Sequence, residues 1–254
     1  MRSGFDLTHY FITGASAGIG AALAKKLNKD KHHVSAVARR ANRLAALERA
    51  SDYFCGYQAD VRDASAMAAA IDASSKTYGP VDVAILNAGI YVPQDGCQIS
   101  PGIYAEHMDV NYMGVVNGLA AIIPQMLAVG GGHIVIISSV AGWRGLPKAA
   151  AYSPTKAALI SLAESLYFDL TPKNIKIQIM CPGFVDTEAT AVNDFDMPDL
   201  LSVEKAADHI IFGMQTDVFS HDFPKSFTRK LKFLRYLPDR LYFALVGKQT
   251  GAGS

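Results

Sequence analysis

The 254-residue sequence has no excess charge of either sign and few cysteines. Its 24 lysines and arginines stand against 23 aspartates and glutamates, a net charge of +1. This balance argues against a general nucleic-acid binder, because phosphate binding requires a basic excess. Cys55, Cys97 and Cys181 are scattered and odd in number, which favours a reducing compartment over a disulfide framework. Half of the residues are apolar, enough for a sizeable core and against disorder.

Uninterrupted membrane-length runs and metal-binding patterns are also missing. The most apolar stretch, residues 114–137, contains Asn117, Pro124 and three consecutive glycines, which predicts a buried helix, a turn and a buried strand. The apolar run 7–13 begins too soon after Met1 to leave room for a signal peptide, so we expect a cytoplasmic protein. The seven histidines lack the spacing of metal ligands, so we expect no metal site.

Short apolar runs alternate with longer helical stretches along the whole chain. Strands are predicted at residues 7–12, 34–38, 53–59, 81–86, 133–138 and 176–180. Helices are predicted at residues 19–28, 40–50, 64–78, 104–127 and 153–170. Continuously apolar strands separated by helices are typical of a parallel sheet covered on both faces. We therefore predict an α/β fold, a Rossmann-type doubly wound parallel sheet forming one domain over residues 1–254.

The first predicted strand runs into the glycine-rich segment T-G-A-S-A-G-I-G, residues 13–20. Glycines allow a tight turn and close backbone approach, and the free N–H groups of the helix that follows attract a pyrophosphate. An ordinary glycine-rich turn is the alternative. The position of the segment 13–20 after the first strand of a doubly wound pattern favours dinucleotide binding over this alternative. The residues of this loop that we assign to a cofactor are Gly14, Ser16, Gly18, Ile19 and Gly20.

The end of the second strand indicates which dinucleotide is preferred. A carboxylate at this place would bind the adenosine ribose and repel a 2′-phosphate. This chain has Ala38 there, followed by Arg39 and Arg40, whose guanidinium groups can bind a phosphate. We therefore predict NADP(H). The alternative is that both arginines cap the strand and begin a surface helix.

Tyr152 and Lys156 are spaced to lie on one face of a helix, about 6 Å apart along its axis. Pro154 is tolerated only in the first turn, so Tyr152 is expected at the N-terminal edge. There, positive charge from Lys156, the helix end and an oxidised nicotinamide would lower the pKa of the phenol and let it exchange a proton near neutral pH. Ser138 and Ser139, at the end of the fifth strand, are the candidates for a hydroxyl that stabilises the same substrate oxygen. A surface Tyr–Lys pair is the alternative.

These motifs resemble the short-chain dehydrogenase/reductase family, with its T-G-x-x-x-G-x-G loop and its Y-x-x-x-K pair, over about residues 7–215. The resemblance implies hydride transfer between NADP(H) and a carbonyl or alcohol, with Tyr152 as general acid/base. It also favours Ser139 over Ser138, assigns Lys156 to the nicotinamide ribose, and gives Asn111 a water-mediated proton relay with that lysine. Leu86 departs from the family, which often has asparagine there.

The resemblance also implies further cofactor contacts along the chain. Asp60 and Val61 correspond to the adenine-contacting pair, although an exposed aspartate capping the next helix is the alternative for Asp60. The remaining contacts, to the adenosine ribose and the nicotinamide, are Asn87, Ala88, Gly89, Pro182, Gly183, Val185 and Thr187. Relatives commonly pair through the helices at 104–127 and 153–170, so we expect a homodimer or homotetramer.

The last third of the chain is less specific. Residues 188–215 lie where the family has its substrate lid, and residues 221–254 form a basic and apolar extension. Phe227, Leu231 and Leu234 recur at helical spacing in this extension. It could pack on its own body or a neighbouring subunit, form a wall for a lipophilic carbonyl or alcohol, or contact anionic membranes through residues 221–248.

Two other function classes stay open at this point. A catalytically silent NADP(H)-binding sensor would have a broken catalytic set beside an intact phosphate loop, and here the set is whole. A membrane-associated scaffold would act through the basic extension. Within the enzymes, a nucleotide-sugar epimerase or dehydratase is the rival, but it usually has a larger substrate domain and NAD.

Overall fold

A single seven-stranded parallel sheet organises the computed structural model, which describes residues 7–193 and 197–250. The strands are β1 (His9–Thr13), β2 (His33–Ala38), β3 (Phe54–Gln58), β4 (Val83–Leu86), β5 (Gly132–Ile137), β6 (Ile175–Pro182) and β7 (Ser220–Phe223). Their order in the sheet is β3-β2-β1-β4-β5-β6-β7. The chain therefore reverses its direction of winding between β1 and β4, where ligands bind in sheets of this kind.

Helices cover both faces of the sheet. They are α1 (Gly18–Lys29), α2 (Ala41–Glu48), α3 (Ala64–Tyr78), α4 (Pro101–His107), α5 (Gly114–Val129), α6 (Ser153–Leu170), α7 (Val203–Met214), α8 (Lys225–Arg235) and α9 (Asp239–Thr250). Consecutive strand residues enter opposite cores: Phe11 belongs to the core that contains Met126 and Leu159, whereas Ile12 belongs to the core that contains Leu23 on the other face. The prediction of a doubly wound parallel sheet is confirmed.

The ends of two helices follow from their flanking residues. The carboxylate of Asp63 accepts hydrogen bonds from the N–H groups of Ser65 and Ala66 and so caps α3, and Gly79 ends that helix at a φ of 82°. In α6, Pro154 lies in the first turn, where its missing N–H costs no hydrogen bond. Both helices have the predicted bounds.

The predicted helix at 104–127 differs in two respects. It begins earlier, at Pro101, and residues Met108–Met113 form a π-helical turn between α4 and α5. The span Pro101–Val129 is long and apolar enough to cross a membrane by length and composition alone. Its α5 part packs against α3, and Asn117 donates to the carbonyl of Val61. The predicted helix, turn and strand over 114–137 are confirmed as α5, a turn at Gly130 and β5.

The segments beyond β6 contain two helices and a strand that the sequence patterns did not predict, besides one helix that they did. Within the span 188–215, assigned to a lid, residues 203–214 form α7, which packs against α1. The extension assigned to 221–254 begins inside the sheet, because residues 221–223 belong to β7. The predicted helical spacing around Phe227 corresponds to α8, and α9 follows Pro238. Residues 194–196 and 251–254 of these segments lie outside the described residues.

Candidate active site

The glycine-rich loop leaves no room for side chains where β1 enters α1. Gly14 has a φ of 70°, and a Cβ there would lie 2.8 Å from the Cα of Ala88. A Cβ on Gly20 would lie 2.5 Å from the carbonyl oxygen of Gly14. No side chain caps the N-terminus of α1, which follows Ala17. The loop therefore offers backbone N–H groups and the positive end of a helix to an anion such as a pyrophosphate.

The turn after β4 is hydrogen-bonded to this loop. The hydroxyl of Thr13 accepts from the N–H groups of Asn87 (2.9 Å) and Ala88 (3.1 Å). In return, the side-chain amide of Asn87 donates to the carbonyl of Thr13 at 3.0 Å. The residues predicted to bind pyrophosphate and adenosine ribose thus form one rigid corner at the switch in strand order.

Cationic side chains gather at the end of β2. The guanidinium of Arg40 donates to the Ser16 hydroxyl at 3.0 Å, and Arg40 and Arg43 form ion pairs of 2.8 and 2.6 Å with Glu188. These hydrogen bonds lower the pKa of the Glu188 carboxyl group. Arg39 is exposed beside them. Arg43 and Glu188 were not among the predicted residues, although Arg43 lies one helical turn after Arg40.

Asp60 and Val61 lie at the end of β3 with different surroundings. The Asp60 carboxylate accepts hydrogen bonds from the Arg62 guanidinium, the nearest at 2.7 Å, which lower its pKa. Asp63, rather than Asp60, caps α3, so the capping alternative considered for Asp60 is wrong. Val61 is buried against α5, where a Cβ on Gly114 would lie 2.6 Å from its side chain.

Tyr152, Lys156 and Ser139 meet above the ends of β4, β5 and β6. The Lys156 ammonium lies 5.5 Å from the centre of the Tyr152 ring and donates to the Ile137 carbonyl at 2.9 Å. The Ser139 side chain hydrogen-bonds Tyr152, whereas the Ser138 hydroxyl donates to the Lys156 carbonyl at 2.8 Å. Ser138 therefore fixes α6, and Ser139 directs its hydroxyl to the phenol.

The pKa values of this cluster differ from the expectation. Burial raises the pKa of Tyr152 to about 12, against a smaller lowering by its hydrogen bond with Ser139. The expected lowering counted the charge of an oxidised nicotinamide, so it stays a prediction for the site with cofactor, whereas burial raises the phenol pKa in the free site. Burial also lowers the pKa of Lys156 to about 8. The free site thus keeps a neutral phenol at pH 7 beside a lysine that titrates just above that pH.

Asn111 lies in the π-helical turn behind the cluster and is fully buried. Its side-chain oxygen accepts from the N–H of Ile90 at 2.7 Å, and its amide donates to the carbonyl of Ile90 (3.0 Å) and to the hydroxyl of Thr155 (3.1 Å). Thr155 in turn donates to the carbonyl of Tyr152 at 2.7 Å. Asn111 therefore joins the turn after β4 to the first turn of α6.

The segment after β6 forms a further part of the lining of the site. The N–H of Gly183 donates to the carbonyl of Phe223 at 2.7 Å, which ties the segment to β7. Val185 forms an isolated parallel bridge with Leu201. The Thr187 methyl group lies 3.3 Å from where a Cβ on Gly18 would stand, so this segment touches the glycine-rich loop.

One cavity of about 640 Å³ connects these parts. The predicted site residues that line it are Ile19, Asn87, Gly89, Ser139, Tyr152, Lys156, Pro182, Gly183, Val185 and Thr187. The other predicted residues lie outside its lining, at the same edge of the sheet or, for Asn111, behind Gly89. They are Gly14, Ser16, Gly18, Gly20, Arg39, Arg40, Asp60, Val61, Ala88 and Asn111.

The far wall of the cavity is apolar and comes largely from α8 and α9, which we call the C-terminal hairpin. Its contributions are Phe227, Leu231, Leu234, Val246 and Thr250. Phe227 packs over Gly183, where a Cβ would lie 2.9 Å from the ring. Sequence reasoning missed Tyr91, whose ring meets that of Tyr152 edge to face at 5.2 Å.

Arg144 attaches this hairpin to the loop that follows Ser139. Its guanidinium donates to the carbonyls of Leu234 (3.3 Å), Arg235 (3.1 Å) and Leu237 (2.8 Å). It also pairs with Asp239 and lies 3.8 Å from the centre of the Tyr242 ring.

In residues 7–193 and 197–250, no group of three or more His, Cys, Asp or Glu could hold a metal ion.

Comparisons with known proteins agree with this geometry. Residues 8–197 match the sequence profile described as short chain dehydrogenase. An uncharacterized oxidoreductase of Myxococcus xanthus is 33% identical over 237 residues, 92% of this chain and 94% of that protein. A 3-dehydrosphinganine reductase of Arabidopsis thaliana is 34% identical over 207 residues, 78% of this chain and 61% of that protein.

Solved structures share the fold. A short-chain dehydrogenase/reductase of Burkholderia phymatum in complex with NAD superposes with a TM-score of 0.80 at 25% identity, covering 90% of this chain and 92% of that one. A short chain dehydrogenase of Burkholderia cenocepacia in complex with NADP has a TM-score of 0.83 at 24% identity, covering 95% and 98%.

Proposed function

Because this chain belongs to the short-chain dehydrogenase/reductase family of oxidoreductases, we propose that it reduces a lipophilic carbonyl to an alcohol with NADPH. The observation that carries the proposal is the cluster of Tyr152, Ser139 and Lys156 on one cavity, with the phenol hydrogen-bonded to the serine. Its complete catalytic set argues against a silent sensor.

The residues at the phosphate end fit a dinucleotide. The two close approaches keep Gly14 and Gly20 free of side chains, and α1 begins at this turn without a side-chain cap on its N-terminus. When bound, NADPH would supply the hydride. Lys156 would hold the nicotinamide ribose. The backbone and hydroxyl of Thr187 would bind the carboxamide of the nicotinamide ring.

The protein's own part of the reaction is proton delivery. Ser139 hydrogen-bonds the substrate oxygen and orients it toward Tyr152, and Tyr152 donates its proton to that oxygen as the carbonyl becomes an alcohol. The pKa of about 12 keeps the phenol protonated at pH 7, which is the form that reduction requires. The Lys156 ammonium stabilises the phenolate that remains.

The test is NADPH oxidation with a panel of ketones and aldehydes. Tyr152→Phe removes the proton donor and should lower kcat by about 10²–10⁴-fold. Its affinity for NADPH should stay close to that of the wild type. Tyr91→Phe is the matched control, because it removes a hydroxyl from the ring that packs against Tyr152, and it should keep most activity. Turnover retained in Tyr152→Phe would remove the basis of the assignment.

The preference for NADP(H) rests on the cationic group at the end of β2. Ala38 brings no carboxylate to this place, and Arg39 is exposed at the end of β2. Arg40 and Arg43 hydrogen-bond Ser16 and also pair with Glu188. Arg39→Ala and Arg40→Ala should each weaken NADPH binding and leave NADH binding unchanged. Arg49→Ala, at the end of α2, is the control. Equal dissociation constants of the wild type for NADPH and NADH would contradict the preference.

The lipophilic substrate class rests on the apolar wall of the cavity. The Arabidopsis relative named a 3-dehydrosphinganine reductase is consistent with such a class. In a series of methyl ketones, each added CH₂ that contacts Leu231 or Leu234 should raise kcat/KM about fourfold, from about 0.8 kcal/mol per CH₂. A value of kcat/KM that does not change with chain length would argue against this class.

We also propose a homo-oligomer that uses the exposed apolar residues of α5 and α6. Phe168 is 77% exposed and Leu127 is 47% exposed. Light scattering after size-exclusion chromatography should give a dimer or tetramer, and Phe168→Ser should shift it toward the monomer. A monomeric wild type would contradict this proposal.

A further inference from the structure

The tip of the C-terminal hairpin carries a group of exposed apolar side chains. Phe233 is 68% exposed, Tyr236 81%, Leu241 53%, Phe243 65% and Leu245 48%. All five lie between residues 233 and 245. Phe233, Tyr236 and Leu241 flank the turn that joins α8 to α9, and Phe243 and Leu245 lie further along α9. Exposed apolar side chains concentrated in so short a segment mark a surface that contacts another apolar phase.

The charge of this part of the chain indicates which apolar partner the tip contacts. Residues 221–248 contain seven lysines and arginines against two aspartates, a net charge of +5. With the whole chain at +1, the remaining residues carry −4. Arg229 and Lys230 lie one turn before Phe233, so charged and apolar groups share the outward side of α8. An anionic surface with an apolar interior fits this combination, whereas a second copy would present the same positive charge.

The inner side of the same hairpin forms the wall of the cavity. Leu234, beside the exposed Phe233, lines the cavity, and so does Val246, beside the exposed Leu245. A substrate dissolved in lipid would therefore meet the apolar lining close to the tip.

We propose that the C-terminal hairpin docks this protein on an anionic lipid bilayer, with the apolar tip in the interface and the basic side chains on the head groups. Entry of a lipophilic substrate beside the hairpin rests on the proposed function, but docking does not. The expected cytoplasmic location is consistent with this, because the cytoplasmic leaflet carries the anionic lipids.

Co-sedimentation of the full chain with lipid vesicles tests the docking. We expect binding to phosphatidylcholine vesicles with about 30 mol% phosphatidylglycerol at about 0.05 M salt, and weak binding at about 0.5 M salt or to phosphatidylcholine alone. The double variant Arg229→Gln/Lys230→Gln should bind about 30-fold more weakly, and Phe233→Ser/Phe243→Ser at least tenfold more weakly.

Matched controls separate docking from general surface effects. Lys173→Gln/Lys205→Gln removes two exposed charges away from the hairpin, and Phe212→Ser removes a ring of α7 that is 60% exposed. Both should bind vesicles like the wild type. Tyr152→Phe should also bind normally, so a failure of the proposed catalysis would be seen separately from a failure of docking.

Three results would overturn the proposal. The first is no binding of the wild type to anionic vesicles at low salt. The second is equal loss of binding in the controls and the hairpin variants. The third is a wild type that does not bind vesicles and whose mass in solution rises with its concentration, an increase that Phe233→Ser/Phe243→Ser abolishes. A second copy would then cover the tip. Unchanged NADPH affinity in every variant verifies that the fold is intact.

Discussion

Replacing Arg144 with alanine should loosen the C-terminal hairpin without unfolding the sheet. The guanidinium holds three carbonyls at the end of α8, so its loss leaves these groups to be satisfied by water. It also removes the cation that covers the Tyr242 ring. The hydroxyl of Tyr242 still donates to the carbonyl of Gly145 at 2.7 Å, so one link between the hairpin and the loop remains.

The expected magnitude follows from these contacts. A hydrogen bond to a charged group contributes about 1.5–3 kcal/mol, and water replaces part of it at a helix end. The ion pair with Asp239, whose side chain is 84% exposed, contributes under about 1 kcal/mol. We expect the free energy of opening the hairpin to fall by about 2–3 kcal/mol, an increase of about 30- to 150-fold in the open population.

Hydrogen exchange of backbone amides measures this opening directly. Amides in α8 and α9 of Arg144→Ala should lose protection, and those in β4 and β5 should keep it. Asp239→Asn, which removes only the exposed ion pair, should change the free energy of opening by less than about 1 kcal/mol. KM for a lipophilic substrate should rise in Arg144→Ala and NADPH affinity should not. Unchanged protection in the hairpin would refute the assigned role of Arg144.

Three further results are expected. Because the Lys156 pKa is lowered to about 8, kcat/KM for reduction should be constant below that pH and fall above it as the ammonium is lost. Lys156→Arg keeps its charge over this range, so the fall in kcat/KM near pH 8 should disappear in this variant. A fall that persists in Lys156→Arg would contradict the prediction. Gly142→Ala places a Cβ 2.7 Å from the Lys156 backbone and should cost about 1–3 kcal/mol of the unfolding free energy measured in urea, whereas Gly145→Ala, with no atom within 4 Å, should be neutral; equal costs would contradict this. Glu188→Gln removes the ion pairs of two arginines, and titration should show that it binds NADPH about threefold more tightly than the wild type. Its affinity for NADH, and the affinity of the control Glu204→Gln for NADPH, should not change. Equal changes in the affinities for both cofactors would refute the prediction.

The sequence predicted the sheet and the ends of α3 and α6 because local chemistry decides both. Apolar runs separated by helices specify parallel strands, and Asp63 and Pro154 mark helix starts through their own hydrogen-bonding properties. The short β7, with the sequence S-H-D-F, has no apolar run, and it forms a strand because the edge of β6 offers hydrogen-bond partners. Its existence depends on tertiary contacts that periodicity does not contain.

The candidate site divides in the same way. Positions of Tyr152, Lys156 and Ser139 follow from motifs, and the structure brings them together on one cavity. The raised pKa of Tyr152 could not be predicted, because it depends on how deeply the fold places the phenol in the cavity. Likewise, Glu188 forms ion pairs with two arginines that precede it by 145 and 148 positions in the sequence. Only the fold brings such distant residues together.

The hydrogen bonds of Asn111 have a consequence for the order in which the protein refolds. They join segments 21 and 44 positions apart, and each requires a long loop to close before it can form. Helices, by contrast, form from local contacts within microseconds. After dilution from denaturant, the far-ultraviolet circular dichroism signal should therefore recover before enzymatic activity. Assembly of the turn after β4, the π-helical turn and the start of α6 around this one amide would follow the formation of the helices.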